Sequence, residues 1–98
     1  MVDTMAHTPL STAAQIERLL QQHLKPAHLE VRDDSRAHAG HHGAAGKGHF
    51  HLKIVSTCFE GLKPLQRHRL VNETLASLFE TDVHALGMET LTPHEFNK

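Results

Sequence analysis

Five histidines and four glycines fall within residues 36–51, "RAHAGHHGAAGKGHFH", of a 98-residue chain with one cysteine, no tyrosine and no tryptophan. Imidazole is a ligand for borderline metals such as zinc, copper and iron, which makes His38, His41 and His42 metal-ligand candidates by residue type. No cysteine accompanies them, and their spacing matches no closed structural zinc pattern of the paired Cys-x-x-Cys kind. From composition the stretch reads either as part of a metal site or as a solvated, flexible connection. Two short patterns within it, "GHHG" and "GAAG", have the Gly-x-x-Gly spacing with which one class of nucleic-acid-binding module clamps a backbone. There the turn joins two helices, whereas both matches here lie between strands, so neither is read as a clamp.

Other chemistry-bearing types give less. Asp33 and Asp34 are adjacent, so on a strand they point to opposite faces and cannot easily act as a paired acid and base. Cys58 follows an apolar strand and precedes Phe59, a setting in which a thiol is expected as a small buried hydrophobe rather than a nucleophile. The sequence contains no Gly-rich phosphate loop ending in Lys-Ser/Thr, no His-Glu-x-x-His and no Gly-x-Ser-x-Gly.

The elements that must position these residues are legible in outline. "STAAQIERLLQQHL" reads as a helix with Thr12 and Gln15 at capping-box spacing, and with Ile16, Leu19, Leu20, His23 and Leu24 in one arc. Lys25-Pro26 ends it. "HLEVRDDS" alternates as a half-buried strand with Leu29 and Val31 inward. The segment from Asp34 to Gly48 is long for a hairpin connection. "HFHLKIVS" then places Phe50, Leu52 and Ile54 on one face and His49, His51 and Lys53 on a solvated one. After the turn "FEGLKP", Pro64 opens a second helix running to about Phe79. Its apolar arc holds Leu65, Val71, Leu75, Leu78 and Phe79, with His68 central as a hydrogen-bonded core histidine and Arg67 and Arg69 flanking. In "DVHALGMET", a third strand, strict alternation puts His84, Leu86 and Met88 together. "TPHEF" offers Thr92 as cap, Pro93 at the first helical position and Glu95 three after the cap.

The resulting order is αββαβα, an α+β domain with a mixed three-stranded sheet and helices on one face, the strand–helix–strand unit being a crossover. One domain is expected over residues 11–98, after a flexible N-terminus over residues 1–10. With 39% apolar residues the chain can build one modest core. Formal net charge is −1 with neutral histidines, and the ten Lys and Arg are dispersed, which speaks against a strong electrostatic footprint for nucleic acid. No apolar run approaches the ~20 residues of a membrane span, and "MVDTMAHTPL" lacks the flank and core of a secretory signal. A lone cysteine fits a reducing compartment. The expected location is cytoplasmic.

Taken together, "HLEVRDDS" with a histidine in the loop after it, "HFHLKIVSTCFEGLKPLQRHRLVNETL", "VHAL" and "TLTPHEF" resemble the BolA family from about Ile16 to Phe96. The run "FEGLKPLQRHRLV" is highly specific. The resemblance implies a fold similar to the type II KH domain and a protein that is not an enzyme. It further implies a monothiol glutaredoxin as partner, the two proteins holding a bridging [2Fe–2S] cluster to which glutathione also contributes, in iron–sulfur trafficking and iron regulation. The family's ligands are a histidine in the third strand and a histidine or cysteine in the loop between the first two strands. Carried over, these are His84 in "VHAL" and, by its offset from "DDS", His38, with His41 or His42 as substitutes. No cofactor is expected in the isolated protein, and neither a membrane nor a small-molecule substrate is implied. Because some BolA proteins are described as transcription factors, the alternative is a DNA-binding regulator contacting phosphates through Arg67, Arg69, Lys63 and Lys53.

Overall fold

The computed structural model describes residues 11–35 and 48–98. The proposed N-terminal segment 1–10 and the loop histidines His38, His41 and His42 lie outside the described residues. Helix α1 (Thr12–Leu24) leads into β1 (His28–Asp33), and β2 (Gly48–Val55) is followed by a single 3-10 turn at Thr57–Phe59. Then come α2 (Pro64–Thr74), α3 (Ala76–Thr81), β3 (Val83–Leu91) and α4 (Pro93–Phe96). The sheet order is β1-β2-β3, with β1 antiparallel and β3 parallel to the central β2. This is the mixed three-stranded α+β arrangement that the sequence predicts.

The cap of helix α1 lies one residue earlier than expected. Ser11, not Thr12, holds the extended cap conformation, and its hydroxyl accepts from the Ala14 N–H at 3.1 Å, meeting one of the first-turn donors that no carbonyl can reach. Burial follows Ile16, Leu20 and Leu24, a strict i, i+4, i+8 stripe, so His23 sits beyond its edge and is exposed rather than inward. The helix stops where Lys25 turns left-handed at φ 44°, before a proline that could not continue it.

These α1 residues meet Phe50, Leu52 and Ile54 of β2, together with Phe59, Val71, Leu75, Leu78 and Val83, in one core on one side of the sheet. Leu29 and Val31 of β1 pack against it from the flank. Ser56 is buried just past β2; its hydroxyl donates to the Leu24 carbonyl at 2.7 Å and accepts from the Cys58 N–H at 3.0 Å. Cys58 is exposed and not buried as expected, because the 3-10 turn spends its inward position on Phe59.

The expected single helix from Pro64 to Phe79 is two helices. The chain breaks at Leu75, at φ −102° and ψ 12°, where the Thr74 hydroxyl donates back to the Leu70 carbonyl at 2.8 Å, a side-chain bond of the kind that bends helices. The break keeps Leu75 fully buried and lets Leu78 enter the core. The buried stripe runs through Arg67, Val71, Leu75 and Leu78, so Leu65, 61% exposed, and the half-buried His68 lie off it rather than at the centre of the core. The polar residue buried on α2 is Arg67, four before Val71. A long aliphatic stem can line an apolar stripe if its charged end finds partners.

Candidate functional site at the bulged end of the sheet

The residue that re-aims the site is an irregularity in the β2–β3 ladder. Gly48 pairs with Val83, but His49 pairs with Ala85, so His84 is the extra residue of a bulge. Val83 points into the core, His84 and Ala85 are both exposed, and alternation resumes with Leu86 half-buried. Strict alternation would have put His84 beside Leu86 and Met88. The bulge turns it to the opposite, helix-free face instead.

There it meets His49, whose ring centroid lies 5.1 Å from that of His84 with the planes tilted by 55°. One step along β2, His51 pairs with Gly87. A Cβ on Gly87 would stand 2.9 Å from the His51 Nδ1, so the absence of a side chain there is what lets this imidazole lie across β3. His49 and His51, expected as solvated, are both half-buried. Together with Asp34, Ala85 and Gly87 they line a shallow concavity of about 300 Å³.

Both ends of the connection between β1 and β2 are fixed at this same end of the sheet. The Asp34 N–H donates to the His49 carbonyl at 2.8 Å, and the Ser35 hydroxyl accepts from the His49 N–H at 3.1 Å. On the far side the Gly48 N–H donates to the Asp82 carbonyl at 2.9 Å. Gly48 has no room for more: a Cβ would approach the Phe50 ring to 2.6 Å and the Ser35 hydroxyl to 2.7 Å. Asp33 and Asp34 have separate local roles. Asp33 accepts from the Ser35 N–H at 2.9 Å, while Asp34 takes both Nε and a terminal nitrogen of Arg32 at 2.7 and 3.2 Å. Among the described residues no three His, Cys, Asp or Glu side chains converge to hold a metal.

The family model for BolA-like proteins matches residues 20–95. This chain belongs to the BolA-like family. BolA-like protein 1 of Mus musculus is 42% identical over 85 residues, which cover 87% of this chain and 61% of the mouse protein; the chain thus spans less than two thirds of that relative. A Vibrio cholerae protein named DNA-binding transcriptional regulator BolA is 39% identical over 83 residues, covering 85% of this chain and 76% of its own length. The solved structure of BolA1 from Arabidopsis thaliana superposes with a TM-score of 0.78 at 39% identity, covering 90% of this chain and 98% of that one.

The four cations named as phosphate contacts of a BolA regulator fare differently. Arg67 is buried, and its guanidinium donates to the Leu62 carbonyl at 2.9 Å, to the Thr90 carbonyl at 3.2 Å and in fork geometry to Glu95 at 2.7 and 3.2 Å. It is committed inside the fold. The Lys53 ammonium lies 5.3 Å from the centre of the Phe96 ring, which also stacks on His28 at 5.0 Å. Lys63 and Arg69 are exposed. Glu95 has a second task, accepting from the Thr92 N–H at 3.0 Å while the Thr92 hydroxyl caps α4. The Arg67 guanidinium, then the Thr92 backbone N–H, holds its carboxyl down to about 2. The cap follows from the sequence, whereas its tie to α2 does not. No helix among the described residues is long and apolar enough to cross a membrane.

Proposed function

We propose that this BolA-like protein works without catalysing a reaction, as the partner of a monothiol glutaredoxin with which it shares a [2Fe–2S] cluster. His84 supplies one imidazole ligand and His38 the other. The observation that carries the reading is the bulge. It presents His84 on the open face at the end of the sheet where Ser35 and Gly48, the two ends of the histidine-bearing connection, are held. In the sequence His38 follows Ser35 by three residues.

The donor set suits the group. Iron in [2Fe–2S] centres accepts neutral imidazole in place of thiolate, and such ligation raises the reduction potential above that of all-thiolate clusters. An exposed His84 needs no rearrangement of the core to reach a ligand position, and the ladder bonds flanking it fix its backbone. The chain's only thiol, Cys58, follows β2 at its Val55 end, and Val55 pairs with Leu91 at the opposite end of β3 from Val83. The family resemblance assigns the remaining ligands to the glutaredoxin cysteine and glutathione.

The test is anaerobic assembly with the host's monothiol glutaredoxin, iron, sulfide and glutathione, followed by visible circular dichroism. A spectrum distinct from the glutaredoxin homodimer, lost in His84→Ala and in His38→Ala and kept in His41→Ala, is expected. A spectrum identical to glutaredoxin alone overturns the shared cluster. Loss in His41→Ala with retention in His38→Ala reassigns the loop ligand.

A second reading, duplex DNA binding, is favoured by the name of the Vibrio relative and by the exposure of Lys63 and Arg69. Of the four cations named for it, Arg67 is withdrawn into the fold and Lys53 lies against the Phe96 ring. Measurable duplex binding at ~50 mM salt, with a salt slope reduced by about one on Lys63→Ala or Arg69→Ala, supports it; absence of binding removes it.

A further inference from the structure

Two imidazoles on neighbouring strands of one face constitute a chelate in the making. With zinc–nitrogen bonds of about 2.0–2.1 Å, two histidines on one tetrahedral ion have their ring centroids roughly 5 Å apart. His49 and His84 are separated by 5.1 Å with their planes well off parallel, so the spacing already matches. Their backbones are held too, His49 by bonds to Asp34 and Ser35 and the base of the bulge by the Gly48–Asp82 bond. Side chains carried on hydrogen-bonded strands lose little freedom when an ion joins them.

We propose that His49 and His84 form a binding site for a single divalent transition-metal ion, of the borderline class to which zinc belongs, in the protein without any partner. The concavity lined by His49 and His51 adjoins one member of the pair, and water ligands would complete a two-histidine site. Imidazole donors select zinc, nickel and copper over magnesium and calcium, which take oxygen ligands. The site needs neither glutaredoxin nor the loop histidines. It is also exclusive with cluster ligation by His84, since one imidazole lone pair serves one metal.

The experiment is titration with zinc chloride, read by isothermal calorimetry, of the full chain carrying His38→Ala, His41→Ala, His42→Ala and Cys58→Ser. One zinc per chain is expected. His49→Ala or His84→Ala in this background should each weaken binding by about a hundredfold, the loss that follows when a bidentate contact becomes monodentate. NMR of the parent background provides the measurement that is independent of those substitutions: zinc should shift the ring signals of His49 and His84 together. Absence of one-to-one binding in the background, unchanged affinity in His49→Ala, or ring shifts elsewhere overturns the proposal. The shared-cluster reading fails separately, because its spectrum depends on His38 and this site does not.

Discussion

At the scale of single residues, glycines and histidines define the site by what they leave open. Gly48 is the tightest position, because an added methyl group would meet both a core ring and the hydroxyl that fastens the connection. Gly48→Ala is expected to cost about 1–3 kcal/mol, the range for forcing atoms into a packed site, measured as a lower urea midpoint at unchanged slope. His84 shows where residue patterns stop being informative. Its identity as a ligand candidate could be read from "VHAL", but its face could not. Parity along "DVHALGMET" is a two-fold rule, and one bulged residue inverts it for every position on one side. Nothing in the side-chain types of Val83, His84 and Ala85 announces the extra residue. The pairing of His49 with His84 was hidden for the same reason.

At the scale of elements, the strands and the cap of α4 were legible, while the cap of α1, off by one residue, and the helix break were not. Phe50, Leu52 and Ile54 alternate with polar residues, so β2 and its inward face followed from period two, and Pro64, Thr92 and Glu95 marked helix starts by their chemistry. The bend at Leu75 arises from a local competition in which Thr74 bonds back along the helix while Leu75 is drawn fully into the core. Periodicity averages over such a contest and reports one arc. Another joint, between α1 and the turn after β2, depends on buried Ser56, which spans the Leu24 carbonyl and the Cys58 N–H. Ser56→Ala leaves both groups without that partner in a buried setting, and a loss of roughly 1–3 kcal/mol is expected in chemical denaturation. Ser56→Cys should recover little of it, since a thiol is a weak donor and acceptor.

At the scale of the molecule, the Arg67–Glu95 fork joins α2 to α4 across the end of β3 and makes the domain sensitive to acid. The Arg67 guanidinium holds the Glu95 carboxyl down to about 2, below its ordinary value of 4.5. A carboxyl depressed in the folded state adds stability that is complete above the unfolded value and is lost as pH falls towards the folded one. Unfolding midpoints should therefore drop between about pH 4.5 and 2 more steeply in the wild type than in Glu95→Gln. Parallel curves would show that the fork contributes nothing to the acid response. The α+β class, the element order and the single core were open to sequence reasoning because each rests on composition and period. The fork was not, for it joins residues 28 apart through a buried cation that an apolar-arc argument assigns to the surface.

The central place of β2 sets its two pairings at very different distances along the chain. Its antiparallel neighbour β1 is close in the chain, whereas its parallel neighbour β3 is separated from it by α2 and α3. Closing a longer loop between β1 and β2 adds only about 0.6 kcal/mol per doubling of length. Lengthening or shortening the histidine-bearing connection should therefore cost folding little, whereas the bulge beside it depends on a parallel pairing reached only across two helices.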